Sequence, residues 1–293
     1  MSKNSELPLH SFLPRCTFPP PGTTAHCAFS GGPDSTALIA LAAAHGCDVV
    51  AHHVDHGIRP SSAAEARRAR DIAGRLDIAF QLHSLRIEPG PNLEARARSG
   101  RRKVLPDPHL TGHTADDQAE TVLIRLLRGS GTTGLAAIEP GEGHPVLGLR
   151  RTETLAICAG LGIQPVHDAS NELDDAWRNR IRHELLPLMA DIADRDPVPI
   201  LARTAELLRD DDAHLDALAT IDPTDALAVA AAPPVLARRA LRRWLTDGGY
   251  PPDAAAIERV MAMARGESRA CELPGGRRVE RSHQRFRIVG GDR

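Results

Sequence analysis

Two short stretches carry residues whose types and spacing can do chemistry. The first is Ser30-Gly31-Gly32-Pro33-Asp34-Ser35-Thr36, set between an apolar run, Ala25 to Phe29, and an apolar segment, Ala37 to Ala44. A strand that ends in such a turn and enters a helix aims backbone N–H groups and the positive helix end at one point, which suits a phosphate. Gly31 and Gly32 let the backbone approach the phosphates, and Ser30, Ser35 and Thr36 add hydroxyl donors. No lysine follows the glycines, as it would in the common ATP-binding loop, and the glycine spacing of dinucleotide folds is missing. The second stretch is Thr111-Gly112-His113-Thr114-Ala115-Asp116-Asp117-Gln118-Ala119-Glu120-Thr121. A helix that starts near Ala115 puts Asp116 and Asp117 in its first turn, with Glu120 on a shared face. Acids there can be mere dipole partners, can hold magnesium, or can clamp an ammonium group.

The surrounding pattern supplies the elements that must position these groups. Ala25 to Phe29 reads as a strand, and its helix ends near His45-Gly46, where glycine caps it. Val49 to His53 is a second strand. Ser62-Ala63-Ala64-Glu65 has the spacing of a capping box and starts a helix to about Leu76. Ile78 to Leu85 is a third strand, Leu93 to Leu105 a third helix, Leu110 to Gly112 a short fourth strand, and Ala115 to about Arg128 a fourth helix. Alternating strands and helices predict a parallel, doubly wound α/β sheet, with the motifs after strands one, two and four gathered at its carboxyl rim. Beyond Gly129 the pattern turns helical: Thr152 to Gly160, Ile181 to Met189, Pro199 to Leu218, Val235 to Leu245 and Ala254 to Ala264, then a small hairpin around Phe286. The expected domains are an irregular lead-in (1–24), a catalytic α/β domain (25–149), a helical connector (150–225) and a basic C-terminal module (226–293).

Ser-Gly-Gly-Pro-Asp-Ser resembles the pyrophosphate-binding loop of the ATP pyrophosphatases, which cleave ATP between its α and β phosphates. Four further motifs follow in order: His53-Val54-Asp55-His56-Gly57-Ile58-Arg59, the His113 to Thr121 run, Arg128-Gly129-Ser130-Gly131 with Gly134-Leu135, and Asp168-Ala169-Ser170-Asn171 followed by Arg178-Asn179-Arg180-Ile181-Arg182. Together the five, spanning about Ala25 to Met189, resemble the tRNA(Ile)-lysidine synthetase family. That resemblance implies an adenine nucleotide alpha hydrolase-like fold and a ligase that joins free L-lysine to C2 of the first anticodon cytidine of an isoleucine tRNA with a CAU anticodon. ATP is the implied co-substrate and Mg2+ the implied metal, held by Asp34 or Asp116. Ser30 to Thr36, with Pro33 among them, His53 and Arg98 are implied at the nucleotide, Asp117 and Glu120 at lysine, and Asp34, His113, Asp116 and Arg180 in the chemistry. Arg59, Arg128, Arg178, Arg182, Arg238 and Arg242 are the expected tRNA contacts. The chain departs from the family pattern at Arg102, at His144-Pro145-Val146-Leu147 and next to Trp177, which bears on local packing and tRNA fit.

Composition bounds the reading. Charged residues at 25% and hydrophobic ones at 42% describe an ordinary globular protein of 293 residues. No apolar run approaches the roughly 20 residues of a membrane span, and Met1 to Phe12 lacks the apolar core of a secretory signal, so a cytoplasmic protein is expected. The five cysteines, Cys16, Cys27, Cys47, Cys158 and Cys271, never pair as CxxC, which argues against a disulfide framework, a zinc site and a cluster-bearing thiolase. Charge is unevenly placed: Asp191 to Asp225 holds 3 arginines and 10 acids, net -7, whereas Ala226 to Arg293 holds 13 arginines and 7 acids, net +6. The arginines at 238, 239, 242 and 243 are a solvated helix face or an RNA contact. Homodimer formation is left open. The rival readings are another pyrophosphatase-loop enzyme, thiolase-like or amide-forming, and a nucleotide- or RNA-binding protein without catalysis.

Overall fold

The computed structural model describes residues 9–55, 62–85, 96, 100, 103–166, 176–246 and 252–290. The chain divides into two compact units, Met1–Leu207 and Leu208–Arg293.

In the first unit, β1 (Thr24–Ala28), β2 (Asp48–Asp55) and β3 (Ala79–Ser84) form a parallel sheet in the order β1-β2-β3. Leu110 joins the free side of β1: its N–H donates to the His26 carbonyl at 2.8 Å, and the Ala28 N–H donates to its own carbonyl at 2.8 Å. The chain thus steps outward from β1 to β3 and returns to the other side of β1. Strand order reverses there, and in such sheets ligands bind beyond the carboxyl ends of the strands at that reversal. The expected fourth strand shrinks to this single bridge at Leu110. The expected third helix lies mostly outside the described residues.

Helix α1 (Pro33–His45) follows β1 directly. Pro33 suits a first helical position, where no N–H is needed, and Gly46, at φ 100°, closes the far end in a left-handed conformation. Its residues from Ser35 to Ala42 are all buried, because α1 packs on β1 and β2 and is covered in turn by α5 (Arg151–Gly160). Leu38, Ile39, Leu41, Ala51, Ile72, Val146, Leu149 and Ile157 make the core, with Ile72 supplied by α2 (Ser62–Arg75). The lead-in contributes as well: Phe12 is buried in this core.

Helix α3 (Ala115–Leu127) starts at Thr114 and is followed by a single turn, α4 (Thr132–Leu135). Past α5, α6 (Ala176–Arg180) runs into a π-helical turn, Ile181–Leu185, and then α7 (Leu186–Ala193), where sequence periodicity predicts one regular helix. Pro187 supplies no N–H to the carbonyl four residues back, so the regular ladder cannot continue across it. Helix α8 spans Pro197–Leu218.

In the second unit, α9 (Ala226–Ala231), α10 (Pro234–Thr246) and α11 (Ala254–Ala264) pack with an antiparallel sheet of β4 (Ala270–Glu272), β5 (Arg278–Ser282) and β6 (Arg285–Val289). Leu241, Leu245, Ile257, Val260, Met263, Val279 and Phe286 form its own core. No helix among the described residues is long and apolar enough to cross a membrane.

Candidate active site

The phosphate loop is braced from within. Ser35 Oγ donates to the Gly32 carbonyl at 3.1 Å and lies 3.1 Å from Ser30 Oγ, and the Gly32 N–H donates to Ser30 Oγ at 3.3 Å. Gly31 sits at φ 84°, and a Cβ there would stand 2.8 Å from Val166, so both the conformation and the space require glycine. Under the loop, buried His53 hydrogen-bonds through Nδ1 to the Phe29 carbonyl at 2.9 Å, which fixes the end of β1. Arg59 and Arg98 lie outside the described residues.

The acid stretch is brought against this loop by a second close approach. A Cβ on Gly112 would fall 2.8 Å from the Asp34 carbonyl oxygen and 3.0 Å from the Ser35 nitrogen, so only glycine lets the end of the Leu110 segment lie on the start of α1. Thr114 then caps α3: its N–H and hydroxyl both donate to Asp117 Oδ2, at 2.8 and 2.9 Å. Glu120, one turn further, is fully buried.

Arginines neutralise all four acids. Arg151, at the start of α5, reaches Asp34 at 3.4 Å through Nε, Asp117 at 2.8 Å through Nη2 and Glu120 at 3.1 Å through Nη1. Its backbone N–H donates to Asp116 at 2.8 Å, and Arg150 grips both Asp116 oxygens at 3.0 and 3.1 Å. Arg182 holds Glu120 by two hydrogen bonds of 2.7 and 3.0 Å, and Arg178 Nε lies 3.4 Å from it. Burial works to raise the pKa of Asp117, but the Arg151 charge and the Thr114 hydrogen bonds hold it below the usual carboxylate range. At Asp34 burial prevails over Thr154 and Arg151, and its pKa is raised.

His113 belongs to a triangle. Thr111 Oγ1 lies 2.8 Å from His113 Nδ1 and 2.6 Å from His144 Nδ1, and donates its proton to the Gly143 carbonyl at 3.0 Å. The two Nδ1 atoms also lie 3.1 Å apart, so the Thr111 hydroxyl and the two rings form one closed hydrogen-bonded set, in which the two Nδ1 atoms cannot both carry a proton towards each other. Burial, then the neighbouring His113, lowers the pKa of His144.

Not every sequence-predicted residue joins this centre. Arg180 is 73% exposed on its side chain and pairs with Glu184 at 2.9 Å on the same helical face. Arg178 and Arg182, expected at tRNA, face Glu120 with side chains that stay 31% and 26% exposed. Arg128 is exposed and lies over the ring of half-exposed Trp177, 5.9 Å from its centroid. In the second unit Arg238 pairs with Glu258 at 2.6 Å, and Arg242 is exposed on α10. Asp34 and Asp116 offer the hard oxygen donors that magnesium takes. Each has both oxygens already engaged, Asp34 by Thr154 and Arg151. No three acid, histidine or cysteine side chains among the described residues converge as a protein-only metal site. Magnesium therefore fits here only if phosphate oxygens complete its shell.

Sequence reading passed over Arg150, Arg151 and Thr154, and gave Thr111 no role. One signal was present: two arginines directly ahead of a helix oppose its dipole and call for acidic partners.

Comparison with known proteins gives this geometry its context. The PP-loop domain model matches residues 10–189, and the TilS substrate binding domain model matches residues 225–286. The chain is 40% identical to a tRNA(Ile)-lysidine synthase of Nocardia farcinica over 89% of its own length and 90% of the relative's. It is 44% identical to that of Rhodococcus erythropolis over 76% and 74%. Among solved structures, a U34-tRNA thiolase from Methanococcus maripaludis superimposes with a TM-score of 0.55 at 15% identity, over 69% of this chain and 78% of that one, which is a likeness of fold. With two family models in sequence and relatives aligned along most of its length, the chain belongs to the tRNA(Ile)-lysidine synthase family.

Proposed function

We propose that this chain ligates the ε-amine of free lysine to C2 of the wobble cytidine in an isoleucine tRNA with a CAU anticodon, at the expense of ATP. The observation that carries this reading is the junction at Gly112, which places the acid-bearing start of α3 directly on the phosphate loop. In the first step the cytidine C2 oxygen attacks the α-phosphorus, the bond to the β-phosphate breaks, and pyrophosphate leaves. In the second the lysine nitrogen bonds to C2, the C2–oxygen bond breaks, and AMP leaves with its electron pair while the amine loses a proton.

The residues divide this work. Amides of the Ser30 to Thr36 loop and the α1 dipole stabilise charge gathering on the leaving pyrophosphate. Magnesium, entering with ATP and held by Asp34 with Asp116 nearby, would neutralise the phosphate oxygens. His113 steadies or relays a proton at the α-phosphate, and Arg180, on a long exposed side chain, reaches the site once substrate is bound. Asp117 and Glu120 hold the amino acid. Arg128 over Trp177, and Arg238 and Arg242 on α10, contact tRNA, as Arg59 does from outside the described residues. The protein acts in the cytoplasm.

A thiolase reading has less support. All five cysteines are free; burial pushes the Cys27 thiol up to about 12 and those of Cys16 and Cys158 up to about 11, far from thiolate chemistry at neutral pH. Incubating the protein with ATP, magnesium, labelled lysine and an isoleucine tRNA transcript should move label into RNA with one pyrophosphate released per lysine. Pyrophosphate without label transfer would favour a different acceptor, and RNA binding with neither would favour a non-catalytic protein.

A further inference from the structure

Among the described residues, Arg151 is the side chain that spans both halves of the site. Its Nε faces Asp34 in the phosphate loop, and its two terminal nitrogens face Asp117 and Glu120. The charge around it is already balanced: Asp34, Asp117 and Glu120 meet Arg151, Arg178 and Arg182. A lysine that arrives alone brings a cation to acids that have no charge to spare.

ATP changes that balance. Phosphate oxygens at the loop compete for the same planar guanidinium, which binds phosphate and carboxylate in one forked geometry. The Arg151 backbone is pinned by its N–H bond to Asp116, so the side chain can turn from one acceptor to another without moving α5. Arg182 is the reason such a turn is tolerable. It reaches Glu120 at 2.7 Å but Asp117 only at 3.8 Å, so Glu120 stays paired when Arg151 leaves, while Asp117 is released.

We propose that Arg151 is a positioning residue that makes lysine binding conditional on ATP, occupying Asp117 and Glu120 until phosphates at the loop draw its guanidinium away. The amine then enters only when the C2 oxygen can be activated. This rests on the assignment of Asp117 and Glu120 to the amino acid.

Equilibrium dialysis of labelled lysine against the full chain, with and without α,β-methylene ATP and magnesium, tests it. The unaltered protein should bind lysine at least about fivefold more tightly with the analogue present. In Arg151→Met the two affinities should agree within about twofold, chiefly because lysine binds better without the analogue. Arg151→Lys keeps the charge but spans one carboxylate at a time; should the methionine variant not fold, this variant should show less than half of the original enhancement. Equal affinities in the unaltered protein, or full enhancement in the folded variants, overturn the proposal. Lysine bound under neither condition, together with no label transfer to tRNA, would instead overturn the assignment of the acids and the proposed reaction with it.

Discussion

Asp117 and Glu120 sit one helical turn apart and share Arg151, yet they are built for different work. Glu120 is fully buried and receives three guanidinium groups, a number that holds a charge in place against the cost of desolvation. Asp117 keeps some exposure on its side chain, and of its two oxygens one caps α3 while the other meets Arg151. That second oxygen is the one an ammonium can take. Asp117→Asn retains a capping oxygen and removes the charge, so the lysine KM should rise by about tenfold or more while the ATP KM stays within about threefold. Steady-state kinetics in both substrates decide this, and equal rises would move Asp117 from the amino acid to the nucleotide. The acids were legible because their chemistry is local: three of them and a histidine fall within eight residues of one helix start. Their partners were not, because Arg150, Arg151 and Arg182 approach from 31 to 62 residues away, and sequence spacing carries no record of a tertiary ion pair.

Strands and helices set these distances, and Gly112 is where two elements come closest. Gly112→Ala would press a methyl group on the Asp34 carbonyl, and the start of α3 must then move from the loop by several tenths of an ångström or more. Such a shift costs about 1–3 kcal/mol of stability, and misplacement near 1 Å costs reaction rates up to about 100-fold. Pyrophosphate release in the presence of tRNA should therefore fall by about 10- to 100-fold in a protein that still melts cooperatively. A ladder of imidazoles crosses the sheet beside this junction. His26 Nδ1 lies 2.9 Å from His52 Nε2, and His52 Nδ1 lies 2.9 Å from His83 Nε2, so a neutral His52 donates to one neighbour and accepts from the other. Burial first, then the charges of His26, His83 and His109, push its pKa down to about 4 from 6.5. The unfolded chain takes up this proton near pH 6.5 and the folded chain only near 4. Stability should hold above pH 6.5 and fall by about 1.4 kcal/mol per pH unit as pH drops through that window. Urea unfolding of His52→Leu should lack this slope. The parallel sense of β1, β2 and β3 could be read from alternation, though not their order, and Gly46 from its place as a cap. The weak fourth strand and the π turn at Ile181 could not, since one is a single tertiary bridge and, for the other, Pro187 marks a break in the regular ladder without saying what form the turn before it takes.

On the scale of the molecule, charge and fold divide at different places: the two units part at Leu208, inside the acidic segment, whereas the charge changes sign after Asp225. The net +6 of Ala226 to Arg293 lies within the second unit, whose residues 225–286 match a substrate binding domain, but six of the ten acids of Asp191 to Asp225 lie there too, so Leu208 to Arg293 as a whole holds 14 arginines and 13 acids, net +1. A surplus of arginine is not a surface of arginine, and the individual side chains separate the two. Arg239 is mostly buried and spends its charge on Asp212 and, at 2.8 Å, Asp216. Arg238 shares its charge with Glu258. Arg242 stands exposed on the same helix. Each phosphate that an arginine neutralises releases condensed counterion, and the logarithm of tRNA affinity then falls with the logarithm of salt by about 0.7–0.9 per contact. Arg242→Ala should lower the measured slope by about that amount while leaving thermal stability unchanged. Arg239→Ala should do the reverse, leaving Asp212 without its buried partner and lowering the melting temperature with the slope intact. Arg238→Ala should fall between, since Glu258 competes with phosphate for the same guanidinium. Filter binding across a salt series, paired with melting curves for the three variants, sorts them. If Arg239 carried the salt slope and Arg242 did not, the α10 face would be a solvated helix surface and tRNA would lie elsewhere on the basic module.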